Sequence, residues 1–317
     1  MIATESKEHA FIVQVMRQAG RRLNSQEVGD VSLRFFEQQR DASAFDRTSS
    51  ILVRLAIKAD PYAHTIADLV EVYRKSVRHY VGLQMPNLVE WIAGCDRLGL
   101  PLPVIISCEK YLDKARNACQ QLTQHYFGIQ PLIVRGGLDY REETFDGQVL
   151  HLPVGDDYEC LPQKVFETYT LLSALGAAHG IIKIDDDLKL YDDVPLDIVR
   201  IRSIFPQADY MGLALSSTRH DRAWHFGKCV SPVAPIYGKP FLAPWARGAL
   251  YFLSERAASA LTAHYLRFPG CLGGELYEDK AVGDVLHALG IRLVPAPLEP
   301  VLRISTDAPD RGLAAAE

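Results

Sequence analysis

Three consecutive aspartates follow a short apolar run near the middle of the chain. Asp185, Asp186 and Asp187 come directly after the mainly apolar residues 181–184 in the stretch GIIKIDDDLKLYDD. Adjacent like charges repel one another, and a hydrophobic core has no use for them. Carboxylate oxygens are the hard ligands that Mg²⁺ and Mn²⁺ prefer in proteins. The run therefore predicts either a divalent-metal site at the end of a buried strand or a solvated acidic loop.

Two further carboxylates stand at the start of a predicted helix in YEDKAVGDVLHALGI. Acidic residues such as Glu278 and Asp279 are ordinary in a first helical turn because they complement the helix dipole. A carboxylate that a helix end holds in place can also take a proton from an incoming hydroxyl group. The segment alone favours the first interpretation and leaves the second open.

A third stretch, APWARGALYFLS, combines an aromatic residue with a glycine just before a predicted strand. Trp245 could belong to the core, or it could offer a flat face for stacking a sugar ring. Gly248 indicates a place where the backbone comes close to another group.

The elements that would hold these residues divide the chain into two parts. Residues 1–98 are predicted to be helical: Phe11, Val15 and Ala19 share one face of the first segment, and the stretch from Asp60 to Val81 has apolar residues at helical spacing. In that stretch Asp60 suits the N-cap and Pro61 the first turn. From residue 99 onwards, short apolar runs bounded by turns alternate with amphipathic segments, which predicts an α/β domain with a mostly parallel sheet.

Composition restricts the class of protein. The net charge of −5 argues against a general attraction to nucleic acid or to anionic membranes. Six scattered cysteines without a CxxC pair indicate free thiols in a reducing compartment rather than a disulfide framework. The N-terminus lacks the order of charged and apolar residues typical of a signal peptide, and no apolar window is long enough to span a membrane. We therefore expect a cytoplasmic protein, which could still contact the inner membrane surface.

Five stretches, in this order, resemble the β-1,3-galactosyltransferase and Fringe-type family of inverting GT-A glycosyltransferases. They are VIISCEKYLDKARNAC, VGDDYECLPQKVFETYTLL, IIKIDDDLKL, the region from Lys228 to Ser254, and YEDKAVGDVLHALGI. The third matches the metal-binding K-x-D-D-D motif of the family, with Lys183 in place. The resemblance covers about residues 103–291, and the helical N-terminal region has no counterpart in it.

This resemblance implies a fold and an activity. Residues 99–317 would form a GT-A domain, a Rossmann-like nucleotide-diphospho-sugar transferase fold, after the helical N-terminal region 1–98. The enzyme would move a sugar from a nucleotide sugar, expected to be a UDP-sugar, to a hydroxyl group of a glycan or of a lipid-linked saccharide. Polysaccharide biosynthesis is the expected setting, without nucleic acid, and a homodimer is one role for the helical region.

The resemblance also implies roles for individual residues. Asp279 would be the catalytic base, and Asp185 and Asp187 would bind Mn²⁺ or Mg²⁺ against the diphosphate. The residues implied for donor binding are Ser107, Arg116, Lys164 and Asp186. Those implied for the acceptor and sugar pocket are Trp245, Gly248 and Glu278. Lys164 has a second interpretation, as a support for the acidic loop.

The chain departs from the family pattern at several positions. Gln120 replaces an arginine, Leu122 and Thr123 replace a Thr-Trp pair, and Cys160 replaces an asparagine. No histidine follows His287, so the histidine metal ligand of many GT-A enzymes is absent or replaced by water. Two alternatives stay open: a sugar-1-phosphate nucleotidyltransferase, which usually has a Gly-rich basic loop at its N-terminus, and a sugar-binding relative without catalysis.

Overall fold

A computed structural model describes residues 47–59, 61–62, 66–191, 196–216, 226–231 and 236–306. The segment predicted to be helical around Phe11, Val15 and Ala19 lies outside these residues. The chain divides into two compact units. Of the described residues, the first unit holds those up to Pro86 together with Ala263–Cys271, and the second holds Asn87–Thr262 and those from Leu272 onwards.

The first unit is helical, with α1 (Arg47–Ala59) and α2 (Ile66–Gln84). The apolar residues of α2 that recur at helical spacing are buried, as predicted. Asp60, the predicted N-cap, lies outside the described residues. The prediction that Pro61 belongs to the first helical turn was wrong, because residues 61–62 form a turn and α2 begins at Ile66. The carbonyl oxygen of Pro61 instead accepts a hydrogen bond from Arg267 at 2.8 Å, and the ring of Tyr62 lies 5.5 Å from that of Phe268.

The second unit alternates helices with strands. Its helices are α3 (Pro86–Arg97), α4 (Leu112–His125), α5 (Leu161–Leu175), α6 (Ile198–Ile204), α7 (Glu255–Arg267), α8 (Glu278–Ala288) and α9 (Glu299–Leu302). Pro86 and the last residues of α7 belong to the first unit. Ser254 caps α7, because its Oγ accepts a hydrogen bond from the backbone N–H of Ala257 at 3.1 Å.

The strands form one large and one small sheet. They are β1 (Leu102–Ile106), β2 (Leu132–Gly136), β3 (Thr144–Phe145), β4 (Val149–Leu152), β5 (Ile181–Asp185), β6 (Leu188–Leu190), β7 (Tyr210–Leu215), β8 (Trp245–Leu253), β9 (Leu293–Pro295) and β10 (Ile304–Thr306). The large sheet has the order β3-β4-β2-β1-β5-β8-β7-β9, and β6 pairs with β10 in the small one.

The large sheet is mixed, with a parallel centre. Strands β4, β2, β1 and β5 run parallel, whereas β8 is antiparallel to both β5 and β7, and β3 is antiparallel to β4. The prediction of an α/β domain is confirmed. All five residues of β1 are buried, which is typical of a parallel strand covered on both faces. No helix within the described parts of the chain is long and apolar enough to cross a membrane.

The topology brings several chain segments to one edge of the sheet. Strands β1 and β5 are parallel with Ile106 opposite Asp185, so both end at this edge. Strand β8 is antiparallel to β5 and begins there. The small β6–β10 sheet follows directly, with Leu188 opposite Thr306. In open α/β sheets, the edge where the parallel strands end is the usual place for a ligand.

Candidate functional site

The acidic run lies at this edge, in the turn between β5 and β6. Asp185 is the last residue of β5, and Asp186 and Asp187 form the two-residue turn that follows. The Oγ atom of Ser107, which follows β1, donates a hydrogen bond of 2.7 Å to Oδ2 of Asp186. The structure therefore joins two residues that the sequence predicted for donor binding and directs Asp186 towards β1.

The surroundings of Asp186 raise the pKa of its carboxyl group. Burial raises the pKa of its carboxyl group, and the neighbouring charges of Asp185 and Asp187 raise it further. The hydrogen bond from Ser107 and the charge of Lys114 oppose this rise in pKa.

A buried lysine connects the acidic run to two other segments. The ammonium group of Lys183 donates hydrogen bonds to Oδ1 of Asp185 and to the carbonyl oxygen of Gly248. Its Nζ atom also lies 3.0 Å from Oε1 of Glu278. The side chain of Lys183 is only 2% exposed, whereas that of Asp185 is 39% exposed. One cation therefore joins the end of β5, the start of β8 and the first turn of α8.

Gly248 lies where the backbone of β8 passes close to the carboxylates of α8. A Cβ atom at this position would be 3.1 Å from Oε1 of Glu278 and 3.2 Å from Oδ2 of Asp279. The backbone N–H of Gly248 donates a hydrogen bond of 3.0 Å to Oδ2 of Asp279. The close backbone approach predicted at Gly248 is present, and its partner is the carboxylate pair.

Asp279 is a partly buried carboxyl group at the N-terminus of α8. Besides the Gly248 contact, its Oδ1 accepts a hydrogen bond of 2.7 Å from the N–H of Lys280. Burial, and then the charge of Glu278, raise the pKa of Asp279 to about 8, although both backbone N–H groups and Lys183 act against the rise. A strongly perturbed carboxyl group at a ligand-binding edge is a candidate for acid–base chemistry.

Glu278 turns inwards in this arrangement. One of its oxygens faces Lys183, the other accepts a hydrogen bond from the N–H of Asp279, and its side chain is 6% exposed. These contacts make Glu278 a support for Lys183 and Asp279. Its assignment to the acceptor pocket stays a prediction that these contacts do not favour.

Lys164 supports the acidic turn indirectly, through Ser107. Its ammonium group donates 2.7 Å and 2.5 Å hydrogen bonds to the carbonyl oxygen of Ser107 and to Oδ1 of Asp156. Asp156 also accepts hydrogen bonds from the N–H groups of Gly136 and Glu109, at 2.8 Å and 2.6 Å. Because Lys164 is 2% exposed, its contacts are those of a buttress for Ser107 and, through it, for Asp186.

Two other predicted residues lie apart from these contacts. Trp245 is 4% exposed, and its ring stacks on that of Phe241 with the centroids 5.1 Å apart. It also packs closely against α8, because a Cβ atom added at Gly283 would lie 2.5 Å from the Cβ atom of Trp245. The core interpretation of Trp245 fits this environment better than a free stacking surface. Arg116 lies on the exposed face of α4, 3.5 Å from Oδ1 of Asp113.

The sequence reasoning missed two residues of the site. Lys183 was noted only as part of a motif, although a lone cation inside an otherwise apolar buried strand is itself a signal of a buried ion pair. Tyr158 was not assigned a role. Burial raises the pKa of its phenol, and the charges of Glu278, Asp279 and Asp185 raise it further, so this phenol keeps its proton beside the carboxylates.

The donor set suits a hard divalent cation with few protein ligands. Within the described residues, no group of three or more histidine, cysteine, aspartate and glutamate side chains is arranged to hold a metal ion. Asp186 is engaged by Ser107 and Oδ1 of Asp185 by Lys183, which leaves Asp187 and the second carboxylate oxygen of Asp185 for a cation. Mg²⁺ is typically held by one or two carboxylates, with water and phosphate oxygens completing its shell. Asp185 and Asp187 fit that pattern.

No protein-family model matches the chain, and no curated protein matches it in sequence.

Proposed function

We propose that this protein is a metal-dependent inverting glycosyltransferase with a GT-A type domain. The observation that carries the proposal is the position of Asp279. It is a partly buried carboxyl group with a pKa raised to about 8, hydrogen-bonded to Gly248, and Lys183 links its neighbour Glu278 to Asp185 at the end of β5. A base and a cation-binding turn are the two parts that single-displacement sugar transfer needs.

Asp279 would be the general base for the acceptor hydroxyl group. In its ionised form a carboxylate with a raised pKa is a stronger base than an ordinary aspartate, and it is partly ionised near neutral pH. A positioned base contributes about 10²–10⁴-fold to the rate. Because Gly248 and Lys280 donate to its two oxygens, the carboxylate is held in one orientation. Attack of the activated hydroxyl group on the anomeric carbon would invert the configuration there.

Asp185 and Asp187 would hold Mn²⁺ or Mg²⁺. When bound, the ion would stabilise negative charge on the leaving nucleotide diphosphate. Ser107 and Asp186 would bind the nucleoside or sugar side of a UDP-sugar donor, and Lys164 would keep Ser107 in place. All six cysteines are free thiols, which supports a reducing compartment, and we expect the enzyme to act in the cytoplasm.

The test is to incubate the protein with Mn²⁺ and a panel of UDP-sugars, with and without saccharide acceptors, and to measure released UDP. The wild type should release UDP, whereas Asp279→Asn should bind UDP normally and show no turnover. Full activity in Asp279→Asn would show that Asp279 is not the catalytic base. Release of pyrophosphate when the protein is given UTP and a sugar 1-phosphate would instead identify a nucleotidyltransferase. If the wild type bound UDP-sugars without turning them over, the protein would be a non-catalytic relative.

A further inference from the structure

A short segment of the chain, residues 228–231, is fixed to the turn in front of α5 and is here called the clasped segment. In that turn, Tyr158–Cys160 form a short 3₁₀ helix directly before α5. The carboxylate of Glu159 accepts hydrogen bonds from the backbone N–H groups of Val230 and Ser231, at 3.2 Å and 2.8 Å. Hydrogen bonds to an ionised acceptor are stronger than neutral ones, so a single side chain holds the backbone of the clasped segment in place.

The clasped segment also packs against the residues that lead into α8. Cys229 is partly buried against Leu276 and Tyr277. Tyr277 comes directly before α8, and Asp279 is the second residue of this helix. The clasped segment therefore lies against the part of the chain that carries the proposed base.

A third contact places a cation at this point. The Nζ atom of Lys228 lies 5.5 Å from the centroid of the Tyr158 ring, within the range of a cation–π contact. Burial, and then the charges of Glu278 and Asp279, raise the pKa of the Tyr158 phenol, so this ring lies beside both carboxyl groups. The ammonium group of Lys228 is therefore held at the edge of the candidate site, on the side of Asp279.

The ammonium group of Lys228 differs from the other cations around the site. Lys183, Lys164 and Lys280 are buried, and each forms an ion pair with at least one carboxylate. Lys228 is exposed, and in the described parts of the chain no aspartate or glutamate lies within ion-pair distance of it. Its backbone is fixed by the clasped segment, and its positive charge is available to a ligand.

We infer that Lys228 binds the carboxylate of a uronic acid unit in the saccharide that lies beside Asp279. This inference rests on the proposed function, because it specifies the substrate class of the same site. One ammonium group balances one negative charge, which fits a monoanionic carboxylate better than a phosphate dianion. The uronic acid belongs either to the sugar of the donor or to the acceptor, and the experiment separates these two sources.

The test compares uronic acids with their neutral counterparts in two binding experiments, neither of which needs turnover. In the first, calorimetry with Mn²⁺ measures the affinities for UDP-glucuronic and UDP-galacturonic acid against those for UDP-glucose and UDP-galactose. In the second, ligand-observed NMR measures the affinities for the methyl glycosides of the same sugars, with and without UDP and Mn²⁺. In one of these experiments the wild type should bind a uronic acid roughly tenfold or more tightly than its neutral counterpart, because hydrogen bonds between charged groups are stronger than neutral ones.

Lys228→Met should remove this preference and leave the affinities for UDP and for the neutral sugars unchanged. Lys228→Arg, which keeps the positive charge, should retain most of the preference. Glu159→Ala should weaken it although the cation is still present, because the clasped segment loses the hydrogen bonds from Val230 and Ser231. Lys75→Met, which removes an exposed cation from α2, is the matched control and should behave as the wild type does.

The outcomes for this inference and for the proposed function are distinguishable. If the wild type turns over no UDP-sugar but binds a methyl uronide in a way that depends on Lys228, the binding site stands without the enzyme. If the wild type transfers sugar but binds uronic acids and neutral sugars equally in both experiments, the inference is overturned and the proposed function stands. A preference for uronic acids that survives in Lys228→Met would also overturn the inference. A loss of affinity for UDP itself in Lys228→Met would overturn it too, and would assign this ammonium group to the diphosphate.

Discussion

The Nζ atom of Lys183 lies 3.0 Å from Oε1 of Glu278, and both side chains are almost completely buried. The same ammonium group donates to Asp185 and to the carbonyl oxygen of Gly248. A buried charge is costly unless opposite charges and hydrogen bonds compensate it. Lys183 is thus the cation that allows the carboxylates of Asp185 from β5 and Glu278 from α8 to lie close together.

Replacing Lys183 should therefore destabilise the protein strongly. Lys183→Met leaves Glu278 buried without its cation, and removal of one partner of a buried pair costs about 3–5 kcal/mol. Chemical denaturation should show this loss in the free energy of unfolding, whereas Lys75→Met on an exposed part of α2 should change it little. Adding Glu278→Gln to Lys183→Met should restore part of the stability. No gain in the double variant would mean that the two residues are not coupled.

The raised pKa of Asp279 predicts a pH-dependent difference in stability between the wild type and Asp279→Asn. Below about pH 4 this carboxyl group is protonated in both the folded and the unfolded chain. Between about pH 4 and the folded pKa of about 8, the unfolded chain releases the proton and the folded protein keeps it. The group therefore destabilises the wild type increasingly as the pH rises through this window.

The measurement is the melting temperature of both proteins from pH 4 to pH 8.5 in buffer with EDTA. The variant should gain on the wild type as the pH rises, by roughly 2–4 °C for each kcal/mol. Asparagine loses one hydrogen bond to Gly248 or Lys280, but that loss is a constant offset. Parallel curves across the whole range would show that the pKa of Asp279 is ordinary.

A methyl group at Gly248 should disturb the carboxylates without removing any charge. In Gly248→Ala the new Cβ would lie 3.1–3.2 Å from oxygens of Glu278 and Asp279, closer than most Cβ contacts. We expect sugar transfer to fall at least about tenfold, because small shifts of a catalytic group are expensive, with UDP binding retained. Gly270→Ala is the control, since a Cβ there meets nothing within 4 Å. Wild-type transfer rates in Gly248→Ala would show that this approach has no role in catalysis.

Local pattern was enough to predict most of the second unit. Strand β1 is a buried apolar run that begins directly after Pro101, and α8 has an apolar face and is followed by Gly290, with φ of +78°. Strands β3, β4, β6 and β10 were missed because each has only two to four residues, and β6 and β10 exist only through pairing with a distant segment. The sequence placed Pro61 in the first turn of α2. Its carbonyl group instead accepts a hydrogen bond from Arg267, a long-range contact that no local pattern shows.

The site was predictable as a set of residue types but not as a set of contacts. The acidic run and Asp279 stood out because each follows or begins a recognisable element. Asp186 contacts Ser107, and Glu278 contacts Lys183. Both contacts depend on the side-by-side order of β1, β5 and β8, which only the tertiary fold provides. For the same reason the sequence left Lys164 open between two roles, and its contact with Ser107 favours the buttress.

The different environments of Asp186 and Asp187 predict different effects on metal-dependent nucleotide binding. Asp186 is held by Ser107, and burial raises its pKa, so it is the poorer ligand for a cation. Calorimetric binding of UDP should need Mn²⁺ in the wild type. Asp186→Asn should keep this requirement with at most a moderate loss of affinity, because the amide can still accept from Ser107.

Asp187→Asn should abolish the Mn²⁺-dependent part of UDP binding, and Asp68→Asn on α2, an exposed aspartate, is the control for loss of one negative charge. The reverse order of effects would exchange the roles of Asp186 and Asp187. If all these proteins bound UDP equally well, with or without Mn²⁺, this turn would not be the site of the metal and the diphosphate. The acidic run would then be a solvated loop.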